Sequence, residues 1–355
     1  MKAAVLTSFG TPLVIKTLPD PVPAAGELVV DVLTAPVFSY TDEVISGARQ
    51  YPLLLPLAMG CGGFGRIRAT GPDATLLKPG DLVFCDPTVR SRDDSVFTPT
   101  MLQGWIAPGP KTQILQAHFR HGAFAEQMLI PLENAIPLGM VDSAELGHWC
   151  AMGTALVPYG GLLAANFRAG ETVLISGATG HFGSAGVGVA LAMGAACVIA
   201  PGRNQTILTE LSRRYGSRVI PVVLTGNEAE DQQRMRQAAP RSIDVVLDLL
   251  PPLTDASPVR AAVMTVRPYG TVVLMGGLRI DLALPYAHLQ RNGITVRGQH
   301  MYPPNAPASL IALIKAGLLS LAELTVARFS LDQANEAVAH AAATGGPFHY
   351  TVIEP

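Results

Sequence analysis

The spacing of apolar and polar residues changes near Ser143. Before this residue, short stretches of alternating apolar and polar positions are bounded by proline and glycine, a pattern typical of β-strands. Strands are predicted at residues 3–7, 27–33, 65–70 and 81–85. This part of the chain is therefore predicted to form a β-rich, partly open barrel.

Beyond Ser143, stretches with helical periodicity alternate with apolar strands. A helix is predicted over residues 143–165, with a break at Pro158 because proline lacks a backbone N–H and crowds the preceding turn. A strand and a glycine turn follow at 171–180. Strands at 196–202, 218–223, 243–250 and 270–277 then alternate with helices at 205–215, 228–239 and 257–266. Repeated strand–helix units form a doubly wound parallel sheet, so the predicted fold class is α/β.

The end of the chain is expected to return to the first part. Helices are predicted at 306–316 and 331–343, followed by a closing strand at 348–353. A chain of 355 residues is long enough for two domains. The first is expected to comprise residues 1–145 and 300–355, and the second residues 146–299.

Composition and charge narrow the possible functions. Hydrophobic residues make up 49% of the chain and charged residues 15%, which favours a large buried core over disorder. The net charge is −2 without a basic stripe, so no nucleic-acid partner is expected. The N-terminal residues run into a strand without a signal-peptide pattern and the four cysteines are isolated, so a cytoplasmic location is expected. The apolar stretch 182–201 divides into a Gly- and Ala-rich helix and a strand, so no membrane partner is expected.

A glycine-rich turn lies between an apolar strand and a helix of small residues. Gly177 can make a tight turn, Gly180 lets the backbone approach a pyrophosphate, and Gly183 lets the helix pack close to the sheet. The order of strand, turn, helix and second strand favours dinucleotide binding over a purely structural turn. The predicted cofactor residues here are Gly177, Thr179, Gly180, His181, Phe182 and Gly183.

The second strand indicates which dinucleotide is bound. It ends in Gly202, Arg203 and Asn204, with no acid to accept a hydrogen bond from a ribose 2′-hydroxyl. The Arg203 guanidinium suits a 2′-phosphate, so NADP(H) is the predicted cofactor. The alternative is that Arg203 is a solvated surface residue and that Asn204 or Gln205 meets an unmodified ribose. Gly276 and Gly277 have no side chains, so a nicotinamide ring could approach their backbone closely. Together with Leu250 and Met275, at the ends of the strands predicted at 243–250 and 270–277, they complete the predicted cofactor site.

With these features, the chain resembles the medium-chain dehydrogenase/reductase superfamily, which includes zinc alcohol dehydrogenases and zinc-free quinone oxidoreductases. The resemblance runs from MKAAVLTSFG to HYTVIEP and includes RAGETVLISGATGHFGSAGVGVALAMGA and VVLMGG. It implies a GroES-like catalytic domain, a Rossmann domain and an active site in the cleft between them. It also implies a homodimer or homotetramer.

The chain departs from this family at the zinc-ligand positions. The family's C-x-T-D segment is Ser39-Tyr40-Thr41-Asp42 here, and its Gly-His-Glu is Gly60-Cys61-Gly62. Only Cys150 lies near the third ligand position, and residues 86–122 contain no cysteine for a structural zinc lobe. Zinc needs three or four converging ligands. The prediction is therefore a zinc-free member without a metal site, in which Cys61 and Cys150 are small apolar fillers.

Without a metal, the protein must supply a hydrogen-bond or proton donor to the developing oxyanion. Small apolar quinones, enones and activated carbonyls suit such a site, so the predicted function is NADPH-dependent hydride transfer to one of these. By the resemblance, Thr41 matches the family's relay hydroxyl and Tyr159 lies on its crossing helix. Tyr40 is the predicted donor, with packing at the domain edge as the alternative, and Ser39 is a candidate contact to substrate or nicotinamide.

Two other functions remain open. One is a zinc-free alcohol dehydrogenase or ketone reductase of a specialised metabolite. The other is a non-catalytic NADP(H)-binding sensor or structural protein, which would keep the glycine turn without the chemistry. The segment 88–119 replaces the structural zinc lobe and is expected to border the cleft, with Trp105 reaching substrate.

Overall fold

The computed structural model describes residues 1–94 and 96–355 and divides into two compact units. The first unit comprises Met1–Gly153 and Leu321–Pro355, and the second comprises Thr154–Ser320. The segment 88–119 belongs to the first unit, and its residue Ser95 lies outside the described residues. The α/β fold class predicted from the sequence is confirmed: the first unit is rich in strands, and the second alternates helices with a parallel six-stranded sheet.

The first unit is rich in strands. Its elements before the unit boundary are, in chain order, β1 (Lys2–Leu6), β2 (Val14–Thr17), β3 (Glu27–Val37), α1 (Thr41–Ile45), β4 (Leu57–Ala58), β5 (Gly63–Thr70), β6 (Leu82–Cys85), β7 (Thr88–Arg90), β8 (Thr100–Leu102), α2 (Pro110–His118), β9 (Gln127–Pro131), β10 (Ala135–Pro137) and α3 (Leu146–Trp149). Short 3₁₀ turns occur at Leu132–Asn134 and Ser143–Glu145. The long strand β3 is almost entirely buried and pairs with both β5 and β9.

The second unit alternates strands and helices. Its elements are α4 (Met152–Ala164), β11 (Thr172–Ser176), α5 (His181–Ala192), β12 (Cys197–Gly202), α6 (Gln205–Tyr215), β13 (Val219–Val223), α7 (Glu228–Ala238), β14 (Ile243–Asp248), α8 (Ser257–Val263), β15 (Val266–Leu274), α9 (Tyr286–Arg291), β16 (Thr295–Gly298) and α10 (Ala306–Lys315). A 3₁₀ turn lies at Gly216–Arg218. All neighbouring strands are parallel, in the order β13-β12-β11-β14-β15-β16.

The closing segment from Leu321 to Pro355 belongs to the first unit. It contains β17 (Thr325–Ser330), a 3₁₀ turn at Leu331–Gln333, α11 (Ala334–Thr344) and β18 (His349–Glu354). Strand β18 pairs antiparallel with β3, with Thr351 opposite Val37, and parallel with β17. The main sheet of this unit therefore runs β10-β6-β5-β3-β18-β17.

Several details differ from the sequence-based expectation: α9 and β16 lie where no element was predicted, and β15 begins at Val266 instead of near residue 270. Helix α4 continues through Pro158, and the interruption lies before it, between α3 and α4. The proline packs on the glycine-rich helix α5, where a Cβ on Gly186 would lie 3.1 Å from the Pro158 Cβ. Close packing of this kind offsets the cost of a proline inside a helix.

The unit boundaries also differ from the expected limits at 145/146 and 299/300. The segment 300–320 belongs to the second unit because its side chains pack on glycines there. A Cβ on Gly160 would lie 2.7 Å from Tyr302 Cβ, and one on Gly188 would lie 3.3 Å from Leu319. Across the described part of the chain, the helices are too short or too polar to cross a membrane.

Candidate functional site

The glycine turn between β11 and α5 is built by backbone contacts. Gly177 has φ +84°, which favours glycine, and the Gly180 N–H donates to the Gly177 carbonyl at 2.8 Å. A Cβ on Gly183 would lie 2.5 Å from the Gly177 carbonyl carbon and 2.9 Å from Ala178 Cα. A Cβ on Gly180 would meet only the Gly177 oxygen, at 3.2 Å. The fold therefore requires glycine at 177 and 183, whereas the absence of a side chain at 180 leaves room for a ligand.

The N-terminus of α5 fits a phosphate group. The N-cap residue Gly180 has no side chain to cap this end of the helix, and helix N-termini favour anions. Burial lowers the pKa of His181 to about 4, so its imidazole is neutral at neutral pH. The His181 and Phe182 rings lie side by side, with centroids 6.1 Å apart. This end of α5 therefore offers an anion backbone N–H groups and the helix dipole, and not a charged imidazole.

The end of β12 lies beside this turn. A Cβ on Gly202 would lie 2.8 Å from the Thr179 hydroxyl oxygen, so the Thr179 side chain packs on bare backbone. Arg203 follows and is exposed, and the described residues give it no ion-pair partner. The Asn204 side chain accepts a hydrogen bond from the Ile207 N–H at 3.2 Å and so caps α6. Of the two predicted ribose contacts, Arg203 has the freer side chain.

The remaining predicted cofactor residues meet at the ends of β14 and β15. The Met275 N–H donates to the Asp248 carbonyl at 3.1 Å, and the Gly277 N–H donates to the Leu250 carbonyl at 2.9 Å. A Cβ on Gly276 would lie 3.1 Å from Asp248 Cγ. Sequence reasoning missed Asp248, although its place at the end of a central strand is readable from the apolar pattern.

The topology makes this edge of the sheet a binding edge. Strands β12 and β13 lie on one side of β11, and β14, β15 and β16 lie on the other. The order of connection therefore reverses between β11 and β14, and parallel sheets bind ligands at the carboxyl ends of strands beside such a reversal. The glycine turn, Gly202 and Gly276 all lie at carboxyl ends of these strands.

In the first unit, Tyr40 lies in a cluster of aromatic rings. Its ring stacks on Phe38 with centroids 5.7 Å apart and meets the edge of Trp105, also at 5.7 Å. The Arg49 guanidinium carbon lies 4.2 Å from the Tyr40 ring centroid and its Nε lies 2.8 Å from Glu43 Oε2. Burial raises the pKa of Tyr40, so the phenol stays protonated and can donate. Phe38 and Arg49 were not predicted from the sequence.

The other catalytic candidates have different surroundings. The Thr41 hydroxyl is buried and donates to the Phe38 carbonyl at 2.6 Å. Ser39 is half-buried, and a Cβ on Gly345 would lie 2.8 Å from its Cβ. Tyr159 is buried on α4 in the second unit, whereas the other three candidates belong to the first.

Two family models match the chain. They describe an "Alcohol dehydrogenase GroES-like domain" over residues 24–140 and a "Zinc-binding dehydrogenase" over residues 182–316. The chain belongs to the medium-chain dehydrogenase/reductase superfamily. It is an oxidoreductase of the alcohol dehydrogenase and quinone oxidoreductase type, and dehydrogenases of this superfamily use a nicotinamide cofactor.

Relatives with assigned functions have modest identity to this superfamily member. An alcohol dehydrogenase of Moraxella sp. (strain TAE123) is 28% identical over 302 residues, which cover 84% of each protein. Acryloyl-coenzyme A reductase of Metallosphaera sedula is 26% identical, with 70% of this chain and 69% of that protein covered. Quinone oxidoreductase of Mus musculus is also 26% identical, with coverages of 70% and 66%.

Solved structures share the superfamily fold with either cofactor bound. A protein of Sinorhizobium meliloti 1021 bound to NADP has a TM-score of 0.78 at 19% identity, covering 100% of this chain and 99% of that one. A short chain alcohol dehydrogenase of E. coli CFT073 complexed with NADH has a TM-score of 0.79 at 17% identity, with the same coverages. These likenesses show the fold alone.

The donor set of this superfamily member does not fit zinc. Within residues 1–94 and 96–355, no three His, Cys, Asp or Glu side chains are grouped to hold a metal. Burial raises the pKa of the Cys61 thiol, and it raises that of Cys150 to about 12. Cys150 Sγ lies 3.6 Å from the Thr34 hydroxyl, in contact with a neutral group. Both thiols are buried in the core, at 7% exposure for Cys61 and 1% for Cys150.

Proposed function

We propose that this oxidoreductase transfers a hydride from NADPH to a quinone, an enone or an activated carbonyl without a zinc ion. The observation that carries the proposal is the Tyr40 phenol, which is protonated and can donate a hydrogen bond. Tyr40 directly follows Ser39, and Ser39 occupies the position that matches a zinc ligand of the family. Ser39 stands where the family has a zinc-binding cysteine, and among the described residues no three His, Cys, Asp or Glu side chains are grouped to hold a metal.

In this proposal, one group of residues binds the cofactor and another residue donates a proton to the substrate. When bound, NADPH supplies the hydride. The glycine turn and the first N–H groups of α5 would hold its pyrophosphate, and Arg203 would hold its 2′-phosphate. Tyr40 would donate to the oxygen on which negative charge develops.

The remaining candidates have supporting roles in this proposal. The Thr41 hydroxyl fixes the start of α1 through its bond to the Phe38 carbonyl, which holds Tyr40 in place. Ser39 would contact the substrate or the nicotinamide, and Tyr159 would line the nicotinamide side. Arg49, above the Tyr40 ring, opposes the rise in the pKa of the phenol and so favours proton donation.

A conjugated substrate suits these groups best. Conjugation spreads the developing charge onto an oxygen, so a single neutral donor has less to stabilise than with an unconjugated ketone. Two of the relatives are named for substrates of this class, namely a quinone and acryloyl-coenzyme A. The choice of NADPH rests on Arg203 and on the lack of an acid at the end of β12.

One experiment tests the proposal. The purified protein is analysed for metal and then mixed separately with NADPH and NADH, together with a quinone, an enone or an unconjugated ketone. We expect faster oxidation of NADPH than NADH, activity with the conjugated acceptors, and no stoichiometric zinc. Stoichiometric zinc would overturn the metal-free mechanism. Turnover of the ketone alone would favour a zinc-free ketone reductase, and tight NADPH binding without any oxidation would favour a sensor.

A further inference from the structure

The carboxyl end of β14 carries a buried acid that the proposed reaction does not use. Asp248 is the last residue of this strand and is 3% exposed. Its neighbour in the sheet is β11, with Ser176 directly opposite Asp248. The acid therefore lies at the point where the order of the strands reverses, next to the glycine turn.

The proposed cofactor site fixes which half of the dinucleotide lies nearest this acid, and the inference rests on that proposal. The pyrophosphate belongs at the glycine turn after β11, and Arg203 after β12 marks the adenosine side. A dinucleotide that crosses the reversal point must then place its nicotinamide half on the side of β14 and β15. Asp248 is the last residue of β14, and Gly276 lies two residues beyond the end of β15.

The groups around the Asp248 carboxylate are all neutral. Its Oδ1 accepts from the Leu250 N–H at 3.3 Å on its own chain segment. The Ser176 side chain from β11 and the Gly276 backbone after β15 lie near the carboxylate and lower its pKa, which opposes the effect of burial. A side chain on Gly276 would collide with the carboxylate, so this glycine is needed for the approach. In the described part of the chain, no charged side chain is among the groups that influence this acid.

A buried charge without a counter-ion is costly, which makes its presence informative. Burial raises the pKa of Asp248 to about 6, so it is ionised above neutral pH in spite of its surroundings. The oxidised nicotinamide ring carries a positive charge and the reduced ring is neutral. A fixed carboxylate near the ring would therefore stabilise only the oxidised form.

We propose that the Asp248 carboxylate sets the relative affinity of this protein for NADP⁺ and NADPH, by acting as the counter-charge to the oxidised nicotinamide ring. Ionised Asp248 tightens binding of NADP⁺ and leaves binding of NADPH nearly unchanged. By linkage, the same interaction makes the bound NADPH a stronger hydride donor than the free cofactor.

Cofactor binding tests this directly, without turnover. The variant Asp248→Asn keeps the shape of the side chain and removes its charge. Dissociation constants for NADP⁺ and NADPH are measured by calorimetry and by nicotinamide fluorescence at pH 8 and pH 5. At pH 8 we expect the variant to bind NADP⁺ about tenfold more weakly, with NADPH affinity changed less than about twofold.

The pH series gives a second readout. In the unsubstituted protein, the preference for NADP⁺ should fall between pH 8 and pH 5, as Asp248 gains a proton. In Asp248→Asn, the ratio of the two constants should not change with pH. The cofactor 2′-phosphate also titrates in this range, but it is common to both forms and cancels in the ratio.

Asp244→Asn is the matched control, because Asp244 lies on the same strand and is paired with Arg267 at 2.6 Å. It should leave the ratio unaltered. Equal weakening of both forms by Asp248→Asn, or no effect on either, would overturn the inference and leave the proposed function intact. If the unsubstituted protein bound neither NADP(H) nor NAD(H), the proposed cofactor site would fail and the inference with it.

Discussion

Replacing Gly183 with alanine should damage both the fold and cofactor binding. The new Cβ would lie 2.5 Å from the Gly177 carbonyl carbon and nearer still to its oxygen, whereas real Cβ contacts are essentially never under 3.0 Å. The obstructing atoms are main chain and the nearest, the Gly177 oxygen, would lie at 2.0 Å, so the turn and α5 must separate by about 1 Å. Overpacking of this kind costs about 1–3 kcal/mol. For a unit of this size, the Tm should fall by roughly 4–8 °C for a cost of about 2 kcal/mol.

Gly180→Ala separates packing from binding. Its Cβ would meet only the Gly177 oxygen at 3.2 Å, and its φ of −94° is open to alanine. We therefore expect a Tm close to that of the unsubstituted protein. The methyl group would nevertheless stand where a pyrophosphate approaches the backbone, so NADPH affinity should fall about tenfold or more.

Thermal unfolding and NADPH titration of both variants give the two quantities. Gly298→Ala is the control, because its Cβ would have no atom within 4 Å; it should change neither. Unchanged Tm and affinity in Gly183→Ala would refute the packing argument. A Gly180→Ala variant that unfolds as early as Gly183→Ala would refute a ligand-based role for Gly180.

Three further outcomes are expected. Arg203→Ala should weaken NADPH binding about tenfold or more, because a charge-assisted contact to the 2′-phosphate contributes about 1.5–3 kcal/mol. NADH binding should be unaffected, and titration of the variant with both cofactors measures the difference. Tyr40→Phe should lower kcat about a hundredfold or more while the NADPH dissociation constant holds, since only the donor is removed; unaltered steady-state kinetics would rule out Tyr40 as donor. Burial raises the pKa of Asp248 from its ordinary 3.8 to about 6, so its ionisation opposes folding increasingly as pH rises through this window. Asp248→Asn should therefore be about 3 kcal/mol more stable than the parent at pH 8 but equal to it at pH 3 in urea unfolding, and equal stability at both pH values would contradict the burial argument.

The sequence alone determined most elements of the second unit and its glycine turn, although α9 and β16 were not predicted. Helix α6 begins and ends where its periodicity predicted, and β12 and β14 lie within their predicted ranges. These features are local: strand and helix periods, caps and glycine positions depend on residues that are near one another in the chain. The sequence also led us to expect that the final strand returns to the first domain, although its pairing with β3 was not predicted.

Only the tertiary structure decided which distant residues meet. The path of α4 through Pro158 depends on a glycine in α5, and the place of residues 300–320 depends on glycines 160 and 188. Folding places Arg49 and Trp105 next to Tyr40, and it places Ser176 and Gly276 next to Asp248. Packing and electrostatics join residues far apart in sequence, and burial, which shifts the pKa of Tyr40 and Asp248, depends on every segment that covers them.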